Sequence, residues 1–73
     1  MKQIEIFKTN VGDTVEAEVI IKCLLDHYPH YKINFDLEDC DRVLRIEASQ
    51  SAINEKEIEQ ILIKQGYDCC HLL

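Results

Sequence analysis

The feature that most constrains this chain is a change of hydrophobic period at Val11-Gly12-Asp13-Thr14-Val15-Glu16-Ala17-Glu18. Ahead of it, the apolar run from Ile4 to Phe7 reads as a strand. Behind it, Ala17, Ile20, Ile21, Leu24, Leu25 and Tyr28 recur at three- and four-residue steps, the period of a helix buried on one face. So abrupt a switch needs a sharp turn and a strong helix start. Gly12 lets the backbone turn, and Asp13 followed three residues later by Glu16 is a capping box. In that box the Asp13 carboxylate accepts from the N–H of Glu16, while Glu16 reaches back to the N–H of Asp13. Such turns are also where small domains hold an anion or a metal. This one carries two carboxylates and no cysteine.

Seventy-three residues make one domain, residues 1–73. A chain of this size buries roughly 60% of the surface it exposes when unfolded, so its core is small. A hydrophobic share of 47%, with two glycines and one proline, argues for a packed fold over disorder. The net charge of −6 argues against nucleic acid and against an anionic membrane surface, both of which repel the chain as a whole. No long apolar run follows Lys2, so no signal peptide is expected, and no stretch approaches the ~20 apolar residues of a membrane span. The expected setting is the cytoplasm, where four cysteines read as free thiols and not as a disulfide framework.

In order, residues 2–9 read as a strand with Ile4 and Ile6 alternating, and Phe7 breaks the alternation, which allows a bulge or register change there. Residues 14–27 form the first helix, which ends because Pro29 disfavours helical geometry at Tyr28. Residues 31–37 alternate, with Ile33, Phe35 and Leu37 on one face. A turn over residues 38–41 leads to a return strand, residues 42–48, with Leu44, Ile46 and Ala48 aligned. After a polar connection, residues 49–53, Asn54 caps a second helix over residues 55–65, with Glu57 completing another box and Ile53 and Ile58 forming a hydrophobic staple. Ile58, Ile61 and Leu62 supply its buried stripe, Gly66 its left-handed stop, and residues 67–72 a last strand.

The order βαββαβ predicts an α+β fold, the ferredoxin-like sandwich: an antiparallel sheet in the order 4-1-3-2 with two helices on one face. An open sheet with parallel neighbours is the alternative, and the tight hairpin at residues 37–42 favours antiparallel pairing. The expected topology gathers Asp13, Glu16, Asp36, Glu38, Asp39, Asp41 and Asp68 at one end, and the connections at residues 27–30 and 49–53 at the other.

The element order, Phe7-Lys8-Thr9-Asn10-Val11 before the first helix and Gly66-Tyr67 opening the last strand resemble the heavy-metal-associated domain, the fold of small copper chaperones and of modules in copper-pumping ATPases. The likeness covers nearly the whole chain. In that family a Met-x-Cys-x-x-Cys motif at the first turn binds Cu(I) or another soft ion through two thiolates. Aligned on Ala17, Ile20 and Leu24, the family's Met falls on Val11 and its cysteines on Asp13 and Glu16. The resemblance therefore implies the family's fold in a degenerate member without its dithiol.

Asp13 and Glu16 would suit a hard ion such as Mg²⁺ or Ca²⁺, which wants about six oxygen ligands, and a capping box accounts for both without one. The acidic run of residues 36–41 lacks the Gly and terminal Glu of a calcium loop and reads as a solvated turn. Cys69-Cys70-His71 offers three soft or borderline ligands in a row. On a regular strand Cys69 and His71 share one face and Cys70 takes the other, so Cu or Zn needs further help, from Cys40 or Cys23. The simpler reading makes Cys69 a small core residue and puts Cys70 on the open face. His27 and His30 flank Tyr28-Pro29 and suit a helix end, where they complement the dipole.

There is no Ser-His-Asp set, no phosphate-cradling glycine loop and no basic cluster, so an enzyme is not expected. Neither is an RNA-binding sheet, for want of its aromatic stacking pattern. Two expectations remain. One is a metal-independent interaction module, monomeric or weakly dimeric through an edge strand such as residues 31–37, whose acidic end meets a basic protein partner and which needs no cofactor. The other is soft-metal binding or trafficking, of Cu or Zn, through Cys69, Cys70 and His71 with Cys40.

Overall fold

The computed structural model describes residues 3–49 and 52–72; Met1, Lys2, Gln50, Ser51 and Leu73, and with them the expected strand start at Lys2 and the middle of the connection at residues 49–53, lie outside the described residues. The elements are β1 (Gln3–Thr9), α1 (Thr14–His27), β2 (Lys32–Asp36), β3 (Val43–Ala48), α2 (Glu55–Lys64) and β4 (Cys69–Leu72). The strands form one sheet in the order β2-β3-β1-β4, which is 4-1-3-2 read from the opposite edge, and every pairing is antiparallel. This α+β arrangement is compatible with a ferredoxin-like sandwich. Among the described residues no helix is long and apolar enough to cross a membrane.

Both helices start where side-chain caps allow. Asp13 is extended and its carboxylate accepts from the N–H of Glu16; Asn54 does the same for Glu57. The staple residues Ile53 and Ile58 are both buried in the core. α1 stops at Tyr28, whose φ of −137° and ψ of 76° leave the helix one residue before Pro29. α2 stops at Lys64, a residue short of the expected end, in a Schellman motif. Gly66, at a φ of 94°, donates to the Ile63 carbonyl, and Tyr67 donates to that of Leu62, both at 3.0 Å. The Tyr67 N–H is thus held by the helix, and the Asp68 N–H by the Asn10 side chain at 2.8 Å. With both donors engaged elsewhere, β4 starts at Cys69 and not at Tyr67.

The phase of β1 reverses the sequence reading. Phe7 is fully buried and Thr9 nearly so, while Ile4 and Ile6 are 40% and 38% exposed on the other face. No bulge occurs at Phe7: the register against β3 runs without a break from Gln3↔Ala48 to Phe7↔Leu44. The cause lies in the neighbours. On this central strand Phe7 stands between Leu44 of β3 and His71 of β4, and Leu44, Ile46 and Ala48 are all buried. A strand phased on Ile4 and Ile6 would turn Phe7 away from the helices, because a shift of one residue flips every side chain. The same phase puts Gln3 and Glu5 on the inner face, where each needs a polar partner.

The core joins Phe7, Leu44, Ile46 and Ala48 of the sheet to Ala17, Ile20 and Leu24 of α1 and Ile58 and Leu62 of α2. Ile33, Phe35, Leu37, Ile61 and Cys69 pack around it, partly buried. The upper end of the sheet, where β1 finishes at Thr9, carries the β1–α1 turn, the β2–β3 hairpin and the α2–β4 turn. The lower end carries the start of β1, the start of α2 and the end of β4.

Candidate functional site

The first turn is closed by its own backbone. Val11 is fully buried, and Asp13 Oδ1 accepts from the Glu16 N–H at 2.8 Å. Glu16 reaches back to the N–H of Gly12, at 3.0 Å, and not to that of Asp13 as the capping box predicts. Gly12 precedes the extended Asp13, so its N–H is the donor that the longer side chain meets. A Cβ on Gly12 would stand 3.4 Å from that same Glu16 oxygen. Partial burial, then the nearby Glu16 carboxylate, with Asp13 adding, holds the Tyr67 phenol above its ordinary value. The three positions where the resemblance looks for Met and two Cys thus carry a core residue and two caps.

The hairpin is tied to this turn. Asp39 Oδ1 accepts from the Asp41 N–H at 2.9 Å, and the Asp39 carbonyl from the Arg42 N–H at 3.0 Å. Arg42 sits at a φ of 46°, unusual for a side chain of its size, and its guanidinium reaches the Leu37 carbonyl at 3.1 Å and that of Gly12 at 3.4 Å. Thr9 Oγ1 donates to the Arg42 carbonyl at 2.5 Å, and Lys8 pairs with Asp41 at 3.5 Å. Asn10 and Asp68 exchange two hydrogen bonds. Asp13, Asp36, Glu38, Asp39 and Asp68 remain exposed around this knot, an acidic end built on a braced frame.

The candidate soft ligands are distributed over several surfaces. Cys69 pairs across from Thr9 on the inner face, and burial, followed by Glu59 and Cys70, pushes its thiol up to about 12. At neutral pH it is a protonated, poorly ligating thiol. Cys70 is exposed beside Lys8 on the opposite face, its thiol 3.8 Å from the His71 carbonyl. Cys40 is exposed in the hairpin, and its sulfur lies within 4.8 Å of carboxylate oxygens of Asp39 and Asp41. Cys23, on α1, accepts from Gln65 Nε2 at 3.7 Å. His27 Nδ1 donates to the Cys23 carbonyl at 3.0 Å, the role expected at a helix end.

His71 keeps different company. Its Nε2 stands 2.6 Å from Glu5 Oε1, and its ring packs on Phe7 with centroids 5.2 Å apart. Glu55, in the first turn of α2, brings a third ligand atom, and the three lie within 4.8 Å of one another. Gln3 Nε2 holds the second Glu5 oxygen at 2.8 Å, and Glu59 accepts from the His71 backbone N–H at 3.1 Å. The hydrogen bonds from Gln3 and then from His71 hold the Glu5 carboxyl below its ordinary value of 4.5. Neither Glu5 nor Glu55 stands in a ligand motif of the sequence. The phase of β1 carries the signal for Glu5: with Phe7 inward, Glu5 follows as a polar group on the inner face.

Among the described residues, groups of three or more ligating side chains converge in two places, Glu5–Glu55–His71 and Asp39–Cys40–Asp41. The four residues proposed for a soft ion are divided between and around them. Compared with protein-family models, curated proteins and solved structures, the chain matches none of them.

Proposed function

We propose that this chain is a non-enzymatic interaction module, a ferredoxin-like βαββαβ sandwich with both helices on one face. It is related in plan to the heavy-metal-associated domain but has no dithiol at the first turn. Its acidic upper end meets a basic protein partner in a reducing cytoplasm. The observation that carries this reading is the use of Asp13 and Glu16. Both carboxylates accept backbone N–H groups, which makes the turn a rigid frame instead of an open metal loop. Around it the exposed Asp36, Glu38, Asp39 and Asp68 keep their charge facing outward. A field of one sign steers oppositely charged partners and discriminates among them. The thiol-based alternative has less support, since Cys69 and Cys70 point to opposite faces and the Cys69 thiol is held protonated.

A lysine-rich peptide titrated into the protein and followed by backbone NMR tests the reading. Shifts should concentrate at residues 10–16, 36–41 and 66–68, fade with added salt, and be abolished by combining Asp36→Asn, Glu38→Gln and Asp39→Asn. Shifts spread evenly over every acidic surface, or unchanged in the triple variant, would contradict it.

A further inference from the structure

We infer that the lower end of the sheet holds a divalent transition-metal site, with Zn²⁺ as its test ion, ligated by Glu5, Glu55 and His71. This inference is independent of the acidic upper end. The three ligands come from three elements, β1, α2 and β4, and the fold alone brings them within 4.8 Å. Asp39, Cys40 and Asp41 are consecutive, and two of them are already used in the hairpin, by the Asp41 N–H and by Lys8. Convergence there follows from sequence adjacency.

Two carboxylate oxygens and one imidazole nitrogen match a borderline ion such as Zn²⁺, leaving a fourth position for water. The two negative charges balance the ion's two positive ones. Glu55 sits at the positive end of the α2 dipole, which disfavours a cation. That end amounts to only about half a charge, against two full carboxylates.

Geometry supports the same assignment. Glu5 Oε1 and His71 Nε2 stand 2.6 Å apart, joined by a hydrogen. Two ligands of one tetrahedral zinc stand roughly 3.4 Å apart, given bonds near 2.1 Å. Zinc therefore replaces that hydrogen, and the two side chains part by less than an ångström, with the ring hydrogen moved to Nδ1 or lost to solvent. The surroundings hold the ligands in place. Gln3 fixes the Glu5 oxygen that faces away from the imidazole, and Glu59 fixes the backbone of His71.

An entrance exists as well. The last described pair of β4 with β1 is Leu72 with Ile6. A groove lined by Ile4, Glu5, Ile6, Glu55, His71 and Leu72 opens there. The Glu5 and His71 side chains retain 18% and 20% of their exposure, enough for an ion to reach and too little for free solvation.

Zn²⁺ titrated by calorimetry into the metal-free protein should show one site per chain. Glu55→Gln, on the helix surface, and His71→Gln should each weaken it at least about 100-fold, and Gln3→Ala about 10- to 100-fold. Cys40→Ser, Cys69→Ser and Cys70→Ser should leave it unchanged. Circular dichroism shows whether each variant folds; if His71→Gln does not, Glu55→Gln alone decides. Co²⁺ in the site should give d–d bands without a thiolate charge-transfer band. The inference is overturned by an absence of stoichiometric Zn²⁺ binding, by binding unchanged in Glu55→Gln, or by a site that cysteine substitution removes and Co²⁺ reports as thiolate.

Discussion

At the upper end of the sheet, Asp13 and Glu16 aim their oxygens at backbone N–H groups of the turn that carries them. At the lower end, Glu5 aims its oxygens at the side chains of Gln3 and His71, with Glu55 close by. The residue type is the same and the consequence differs. A carboxylate that caps a helix is fixed by local sequence and has little left to offer a ligand. A carboxylate that meets a histidine from a strand 66 positions away is fixed by the fold, and its partner belongs to a residue type that ligates metals. The end richer in acid thus spends two of its carboxylates on its own frame, and the sparser end sets its carboxylates against a histidine.

The largest effect that could break this comparison comes from exchanging the caps for thiols. Asp13→Cys with Glu16→Cys rebuilds Cys-x-x-Cys at a helix N-terminus, which favours thiolate. If the scaffold is of the metal-chaperone type, Cu(I) affinity measured by chelator competition should rise by several orders of magnitude over the native chain. A folded variant that gains nothing would show that the loop is not a metal loop. A smaller effect concerns the stop of α2. Gly66→Ala forces a Cβ into a left-handed conformation and should cost about 1–2 kcal/mol in urea unfolding, although no neighbour stands within 4 Å of the added atom. A neutral result would remove the reason given for the late start of β4. Asp13→Ala should cost about 1 kcal/mol, as loss of an N-cap does. If the variant is more stable at every salt concentration, the turn is strained and its frame role is wrong.

The smallest effects separate the two ends by pH. Glu5 titrates below its ordinary 4.5 in the folded protein, so its contribution is present above that value and is lost as pH falls through the lowered one. Tyr67 titrates above its ordinary 10.0, so its contribution is present below that value and is lost as pH rises through the raised one. Glu5→Gln should flatten the acid limb of the stability profile and leave the alkaline limb alone, and Tyr67→Phe should do the reverse. Thermal melts across the pH range would show it. Identical changes in both variants would contradict the separation.

How far the sequence revealed this depended on whether a feature was local. α1 was legible because its start, its apolar steps and its proline stop lie within one continuous segment, and the hairpin was legible from its alternation on both sides. The phase of β1 was not, because Ile4 and Ile6 offer one apolar face and Phe7 the other. That choice is made by Leu44 and His71 in neighbouring strands, whose positions require the register. The lower cluster was hidden for the same reason: until β1 is phased and β4 is aligned on it, nothing relates Glu5 to His71. In the sequence His71 stands beside two cysteines, and adjacency suggested a soft-metal set that strand alternation then divides.

Backbone NMR during Zn²⁺ titration tests the division between the ends most directly. The amide signals of Glu5, Glu55 and His71 should move together and saturate at one ion per chain, while those of Gly12, Asp13, Glu16 and Cys40 stay in place. Movement at the first turn or the hairpin, with residues 5, 55 and 71 unaffected, would contradict the account.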